Sequence, residues 1–295
     1  MSLVVNHNLM AANSSRYLNT HYTALSDSTR KLSSGLRVET AADDAAGLAI
    51  RELMRADIAA LNQGVRNAND GISLIQTADG ALGVIDEKLV RMKELAEQAA
   101  TGTYDSTQRL IIDSEYQQMA SEITRIANAT DFNGIKLLDG NLSSDTHDGT
   151  GLVSTGKLKI HFGTANDSAE DYYYIQIGDS TASALGVGNA NGGGAGHDIS
   201  TQANAQKALD AINNAIVSKD NIRAHLGALQ NRLENTITNL EVQSENLQSA
   251  ESQISDVDVA TEMTNFVRNQ ILTQSAVSML GQANSLPQMA LSLIG

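Results

Sequence analysis

Few residues in this chain are of the types, and none at the spacings, that catalysis needs. The six histidines (His7, His21, His147, His161, His197 and His225) show no ligand spacing. No H-E-x-x-H run occurs, so zinc peptidase chemistry has no carrier. Cysteine is absent, which removes thiolate nucleophiles, thiolate metal sites and disulfides. Asp43 and Asp44 are adjacent carboxylates, but acids at a helix start interact favourably with its dipole, and that role fits them better than acid–base work. Gly186-Val-Gly188 and Gly192-Gly-Gly-Ala-Gly196 resemble phosphate-binding loops only in composition, because no strand-to-helix context or following lysine accompanies them. Tyr172 to Tyr174 reads as sheet packing, not a ligand platform. Ser143, Ser144, Thr150, Ser180, Thr181 and Ser183 are hydroxyls open to O-glycosylation, with plain surface hydroxyls as the simpler reading. No catalytic residue, metal ligand or cofactor is expected.

The chemistry on offer is that of packing. Apolar residues make up 41% of 295, yet aromatics are only 3%, with no Trp. A core without aromatics must be built from Leu, Ile, Val, Met and Ala, which suit long helices packed along their length. Proline, which breaks helix interiors, occurs once, at Pro287. The formal charge of −14 argues against nucleic acid and against anionic membrane surfaces. No run of apolar residues is long enough for a transmembrane helix. Met1 to Met10 lacks the basic and apolar regions of a cleaved secretory signal, so export would use another route.

More than half of the 23 glycines fall between Gly134 and Gly196, which separates helical flanks from a loop- and strand-rich middle. In the N-terminal flank, Leu18, Leu25 and Leu32 form a thin heptad seam that Ser33-Ser-Gly35 interrupts. Thr40-Ala-Ala-Asp43 fits a loose capping pattern for the next helix. Val65, Ala68, Ile72, Ile75, Ala78, Leu82, Ile85, Leu89, Met92 and Ala99 then lay one apolar stripe along a helix of unusual length. Thr101-Gly-Thr103 ends it, and Asp105 or Ser106 caps a further helix to about Asn128. Asp131-Phe-Asn-Gly134 is a turn. Lys157–Phe162 and Tyr172–Ile177 read as strands of a hairpin, and Gly186–Gly196 as a flexible surface loop. Helix returns near Thr201, with a seam from Ile222 through Leu226, Leu233 and Leu240 to Ile254. Asp256-Val-Asp258 breaks it. A last amphipathic segment uses Val259, Met263, Phe266, Val267, Leu272, Val277 and Leu280 before Pro287 interrupts it. The expected fold is mainly α: an elongated bundle of long coiled-coil-like helices from both termini, with a small β-rich insert. Seams at both ends without a local partner favour self-association.

Several runs resemble bacterial flagellin. They include Leu32-Ser-Ser-Gly-Leu-Arg37, Ala41-Ala-Asp-Asp-Ala-Ala-Gly-Leu-Ala-Ile50 and the block from Val65 to Leu82. Leu89 to Gln98 and Phe132-Asn-Gly-Ile-Lys-Leu-Leu138 continue the N-terminal likeness, and Arg223 to Leu233, Glu245 to Asp256 and Ala276 to Leu293 carry it in the C-terminal half. The resemblance covers about 1–140 and 205–295. It implies inner-tube helical arms over 1–43 and 257–295, disordered in the free monomer and paired in a filament. It implies an outer-tube domain from 44–140 and 205–256, and a variable outward insert over 141–204. It further implies no enzymatic activity, polymerisation with itself, and self-assembly seams at Leu18, Leu25, Leu32, Val259, Met263, Phe266, Val267 and Leu280. Export through the flagellar type III apparatus to the cell exterior is implied, as are partners in an export chaperone, cap proteins and junction proteins. By the same resemblance, Arg91, Leu95, Ile112, Glu115 and Gln118 are candidate contacts for the host Toll-like receptor that senses flagellin. An arginine, an apolar side chain and a carboxylate exposed together can form a compact hot spot. The competing readings are a hook–filament junction protein, which shares the terminal helices, and a secreted adhesin or effector with coiled-coil ends.

Overall fold

A computed structural model describes residues 7–149, 155–168, 170–188 and 196–294. Five helices dominate: α1 (Leu9–Ser34), α2 (Ala45–Ala100), α3 (Ser106–Ala129), α4 (Gln202–Ser255) and α5 (Val259–Ile294). Among the described residues between α3 and α4 are six short strands: β1 (Asp131–Phe132), β2 (Ile135–Lys136), β3 (His147–Asp148), β4 (Thr155–Gly156), β5 (Leu158–His161) and β6 (Tyr172–Ile175). They pair consecutively as antiparallel hairpins. The mainly helical architecture with a β-bearing middle is therefore as expected.

The chain forms two compact units, residues 59–244 and residues 1–58 with 245–295. In the first, the long stripe of α2 is the spine of the core. Ala68, Ala78, Leu82, Ile85, Leu89 and Met92 are fully enclosed. Tyr116, Ala120 and Ile123 of α3 and Ala208, Ile212 and Leu226 of α4 join them in one cluster. Asp105 caps α3 by accepting from the Gln108 N–H, and the Gln108 side chain returns the bond to the Asp105 N–H. From α3, Arg109 donates to the Ala99 and Thr101 carbonyls at 3.0 Å each, satisfying the otherwise orphaned end of α2, whose last turn has no basic residue.

The β5–β6 hairpin pairs Leu158 with Ile175 and His161 with Tyr172. Its alternation sends Leu158, Ile160 and Tyr173 to the core cluster. The loop end of the hairpin is held on α2, where Asn67 Nδ2 donates to the His161 carbonyl at 2.7 Å. Gly64 permits that approach: a Cβ there would lie 2.0 Å from the Phe162 carbonyl oxygen. The Asp131–Lys136 hairpin turns through Asn133 (φ 50°) and Gly134 (φ 83°), the left-handed pair that a two-residue hairpin loop requires. Of the glycine-rich surface loop expected over Gly186–Gly196, residues 189–195 lie outside the described residues.

In the second unit α1 packs along α5. Gly35 closes α1 in the left-handed conformation (φ 74°) with its N–H on the Lys31 carbonyl. The break near Asp256-Val-Asp258 is real, with α4 ending at Ser255 and α5 starting at Val259. Asp258 caps α5, and its carboxyl is held below the ordinary carboxylate range by hydrogen bonds from the Thr261 hydroxyl and N–H and the Ala260 N–H.

Two local expectations are corrected. The residue that caps α2 is Asp44, whose Oδ1 accepts from the Ala46 and Gly47 N–H groups at 3.1 and 2.9 Å. Asp43 instead folds the preceding turn, accepting from the Thr40 N–H and hydroxyl at 2.9 Å each. Those bonds, with Arg30 at 3.2 Å, hold its carboxyl well below the ordinary range. Pro287 does not interrupt the last helix, because α5 runs on to Ile294. A proline removes one N–H from a helix and leaves the carbonyl four residues back without its partner. Here that carbonyl, on Ala283, accepts from Asn8 Nδ2 at 2.7 Å.

Candidate functional site

Two surfaces stand out, one in each unit. The first is the outer face of the terminal helices. On α1 the covered residues include Ala11, Ser14, Leu18, His21, Leu25, Ser28 and Leu32, an uninterrupted alternation of four- and three-residue steps. The leucine seam was legible in the sequence. Its other half, Ser14, His21 and Ser28, is polar or small and was missed, although Ser28 is only 4% exposed. On α5 the covered face carries Phe266, Asn269, Thr273, Ala276, Leu280 and Ala283.

The apolar residues expected to form a single α5 seam thus divide between two faces. Phe266 and Leu280 are half-buried on the covered side. Val259, Met263 and Val267 are 59%, 45% and 44% exposed, and Ile271 continues their four-residue spacing at 56%. Val277 and Met279 are also exposed on α5, as are Leu9, Met10, Tyr17 and Tyr22 on α1. Burying a large apolar side chain stabilises by roughly 1.5–3 kcal/mol relative to leaving it in water. The outward stripe of α5 alone therefore leaves several such increments unused.

The second surface joins α2 and α3. Arg91 reaches across to Glu115 with Nε at 3.0 Å and a terminal nitrogen at 2.7 Å, and its other terminal nitrogen holds Glu94 at 2.9 Å. The Glu115 hydrogen bonds are the largest cause of the upward shift of the guanidinium, with Glu94 next. Both partners stay in solvent, Arg91 at 48% and Glu115 at 45%. Gln118 is exposed beside them. Leu95 and Ile112, grouped with these residues by sequence, lie beneath in the core at 2% and 9% exposure. The apolar side chain that shares the Glu115 face is Ile111, four residues earlier on α3 and 69% exposed. The sequence reading missed it because Ile111 and Ile112 are chemically alike, and only the rotation of α3 tells them apart.

Inside the same unit, Lys219 of α4 is 1% exposed and is neutralised by Asp86 at 2.5 Å and Asp220 at 2.7 Å. Arg223 grips Asp79 at 2.7 Å, and that contact is the main cause of the upward shift of its guanidinium. The Lys219–Asp86 and Arg223–Asp79 pairs fasten α4 to α2. Tyr116 donates to the Gly196 carbonyl at 2.7 Å, and burial pushes its phenol up. Among the described residues, no group of three His, Asp or Glu is arranged to hold a metal ion. Of the candidate hydroxyls for modification, Ser143, Ser144 and Ser183 are exposed and Ser180 is fully buried, while Thr150 lies outside the described residues. None of the described helices is long and apolar enough to cross a membrane.

Comparison with known proteins accounts for both ends. Residues 5–143 match the bacterial flagellin N-terminal helical region, and residues 209–294 match the bacterial flagellin C-terminal helical region. A flagellin of Halalkalibacterium halodurans is 43% identical over 292 residues, covering 99% of this chain and all of its own length. The flagellar filament 33 kDa core protein of Treponema phagedenis is 41% identical with the same coverage. The crystal structure of Bacillus cereus flagellin is 29% identical, covering 63% of this chain and 94% of that one, with a TM-score of 0.46. With both terminal regions matched and near-complete relatives above 40% identity, the chain belongs to the bacterial flagellin family.

Proposed function

We propose that this chain polymerises into the extracellular flagellar filament by burying the outward apolar stripe of its terminal helices against other copies of itself. The observation that carries this is the four-residue run Val259, Met263, Val267 and Ile271 on the face of α5 that α1 does not cover. In this reading residues 1–43 and 257–295 form an inner tube, 44–140 and 205–256 an outer tube, and 141–204 the outward insert. The role is structural and requires no catalytic group. Delivery to the outside runs through the flagellar type III apparatus, with an export chaperone, cap proteins and junction proteins as partners. Purified monomer mixed with short filament seeds, or with a salting-out agent that strengthens apolar burial, should give long tubular filaments in negative-stain electron microscopy. Persistent monomer from an intact chain would overturn the reading and favour a junction protein.

A second reading is supported by the exposed Arg91–Glu115 pair. We propose that this surface is also a ligand of the host Toll-like receptor that senses flagellin. Arg91, Glu115 and Gln118 would make the polar contacts and Ile111 the apolar one. Leu95 and Ile112 would support them from the core. An Arg91→Ala monomer that signals as strongly as the unaltered chain would remove this reading.

A further inference from the structure

The bond between Asn8 and Ala283 satisfies two unrelated needs with one side chain. Asn8 Oδ1 accepts from the Ala11 N–H at 3.0 Å and so caps the start of α1. Its Nδ2 donates to the Ala283 carbonyl at 2.7 Å, across 275 residues of sequence. That carbonyl is the one Pro287 leaves without a helical donor, since a proline nitrogen bears no hydrogen. Water is a poor substitute there, because Ala283 is 5% exposed.

At the other end of α1, the Val257 N–H donates to the Gly35 carbonyl at 3.0 Å, and Leu36 bridges to Asp256. To within one residue, the chain from Asn8 to Gly35 is as long as the chain from Val257 to Ala283. The two antiparallel helices rise equally per residue, so both ties are met in one register. The residues between them specify that register only in part. Leu18, Leu25, Leu32, Phe266 and Leu280 are spaced along the covered faces among Ala, Ser, Thr and Asn, and those small and polar positions pack nearly as well after a slip.

We propose that Asn8 is the positioning residue that sets the register of α5 against α1, by replacing the donor that Pro287 removes. The inference rests on the pairing of α1 with α5 and not on the polymerising role. If α5 slid by one residue, Asn8 would face a carbonyl already bonded within the helix, and the Ala283 carbonyl would be buried without a donor. A buried polar group left unpaired costs more than a net hydrogen bond contributes, so the penalty selects one register.

The test is a cycle of Asn8→Asp and Pro287→Ala, singly and together, in the full chain. Asp keeps the acceptor that caps α1 and lacks the amide donor. Pro287→Ala restores the helical N–H to the Ala283 carbonyl. Amide hydrogen exchange of α5 between Leu280 and Met289 is read in filaments where they form and in monomer where they do not. The expected result is exchange faster on the order of tenfold for Asn8→Asp in the native background, and no change when Asn8→Asp is added to Pro287→Ala. Equal acceleration in both backgrounds would show that the effect does not depend on the donor Pro287 removes and would overturn the proposal. So would no acceleration in either, or a wild-type chain whose α5 is unprotected in every state.

Discussion

Between Ala68 and Ala99, α2 turns Leu82, Ile85, Leu89 and Met92 into a core where none retains exposure, while α5 sets Asn269 and Thr273 on its covered side and Val259, Met263, Val267 and Ile271 outward. Both helices are rich in apolar residues, but only α2 has its apolar face spent within the chain. The central unit closes on itself: α3 and α4 complete the cluster begun by α2, and the buried Lys219 is matched by Asp86 and Asp220. The α1–α5 pair mixes Leu18, Leu25, Leu32, Phe266 and Leu280 with small and polar residues in its internal seam and leaves many of its larger apolar residues outside. A pair built that way is stabilised only modestly alone. Its remaining stabilisation comes when another surface covers it.

The contrast can be broken most sharply on α5. Met263→Asp with Val267→Asp should abolish seeded polymerisation, since each places a charge where apolar burial is needed, yet leave the thermal unfolding of the central unit unchanged. Growth of normal filaments from this variant, seen by negative stain, would show that the outward stripe is not the assembly surface. The complementary change is Leu89→Ala in the enclosed core, which should lower unfolding stability by about 2–5 kcal/mol in urea titration of the monomer. A loss no larger than that of an exposed valine would mean that the central unit is not the tightly packed half.

Acid should act on the connector before α2 more than on either helical face. The Asp43 carboxyl is held below its ordinary range mainly by the Thr40 N–H and hydroxyl. A depressed folded-state value contributes stability above the unfolded pKa and loses it as pH falls. The turn at 40–43 should therefore loosen only well below pH ~4, and Asp43→Asn should loosen it at neutral pH as well. Exchange of the Thr40 amide against pH checks this, and a profile identical in the variant would refute it. The smallest effect on folding belongs to Arg91→Ala. An ion pair this exposed is screened by solvent and contributes little to stability, so unfolding should barely move, while binding to the proposed receptor should fall on the order of tenfold or more. A change in stability without a change in binding would assign the pair to the fold.

The long α2 stripe could be read from sequence because Leu, Ile and Met recur there with helical period and nothing competes with them. The hairpin strands were legible for a similar reason, as Lys157–Phe162 alternates and the three tyrosines favour extended backbone. The polar half of the α1 seam could not be read, because Ser14, His21 and Ser28 carry no hydrophobic signal and are placed by their neighbours. Ile111 and Ile112 differ by a rotation of α3 that composition does not encode. Pro287 misled because its missing donor is supplied by Asn8, at the far end of the chain.

The tie between α2 and the hairpin has a practical side. Beyond Phe162 the chain crosses exposed Thr164, Ala165 and Asn166 and returns at Asp171, whose carbonyl accepts the Phe162 and Gly163 N–H groups at 2.9 Å each. Its start is anchored through Gly64 and Asn67. A foreign peptide spliced between Thr164 and Asn166 would be carried on a loop whose two stems are held by bonds it takes no part in. The segment is a ready mount for displaying an epitope, an affinity tag or a dye-labelling cysteine in a scaffold that has no cysteine of its own.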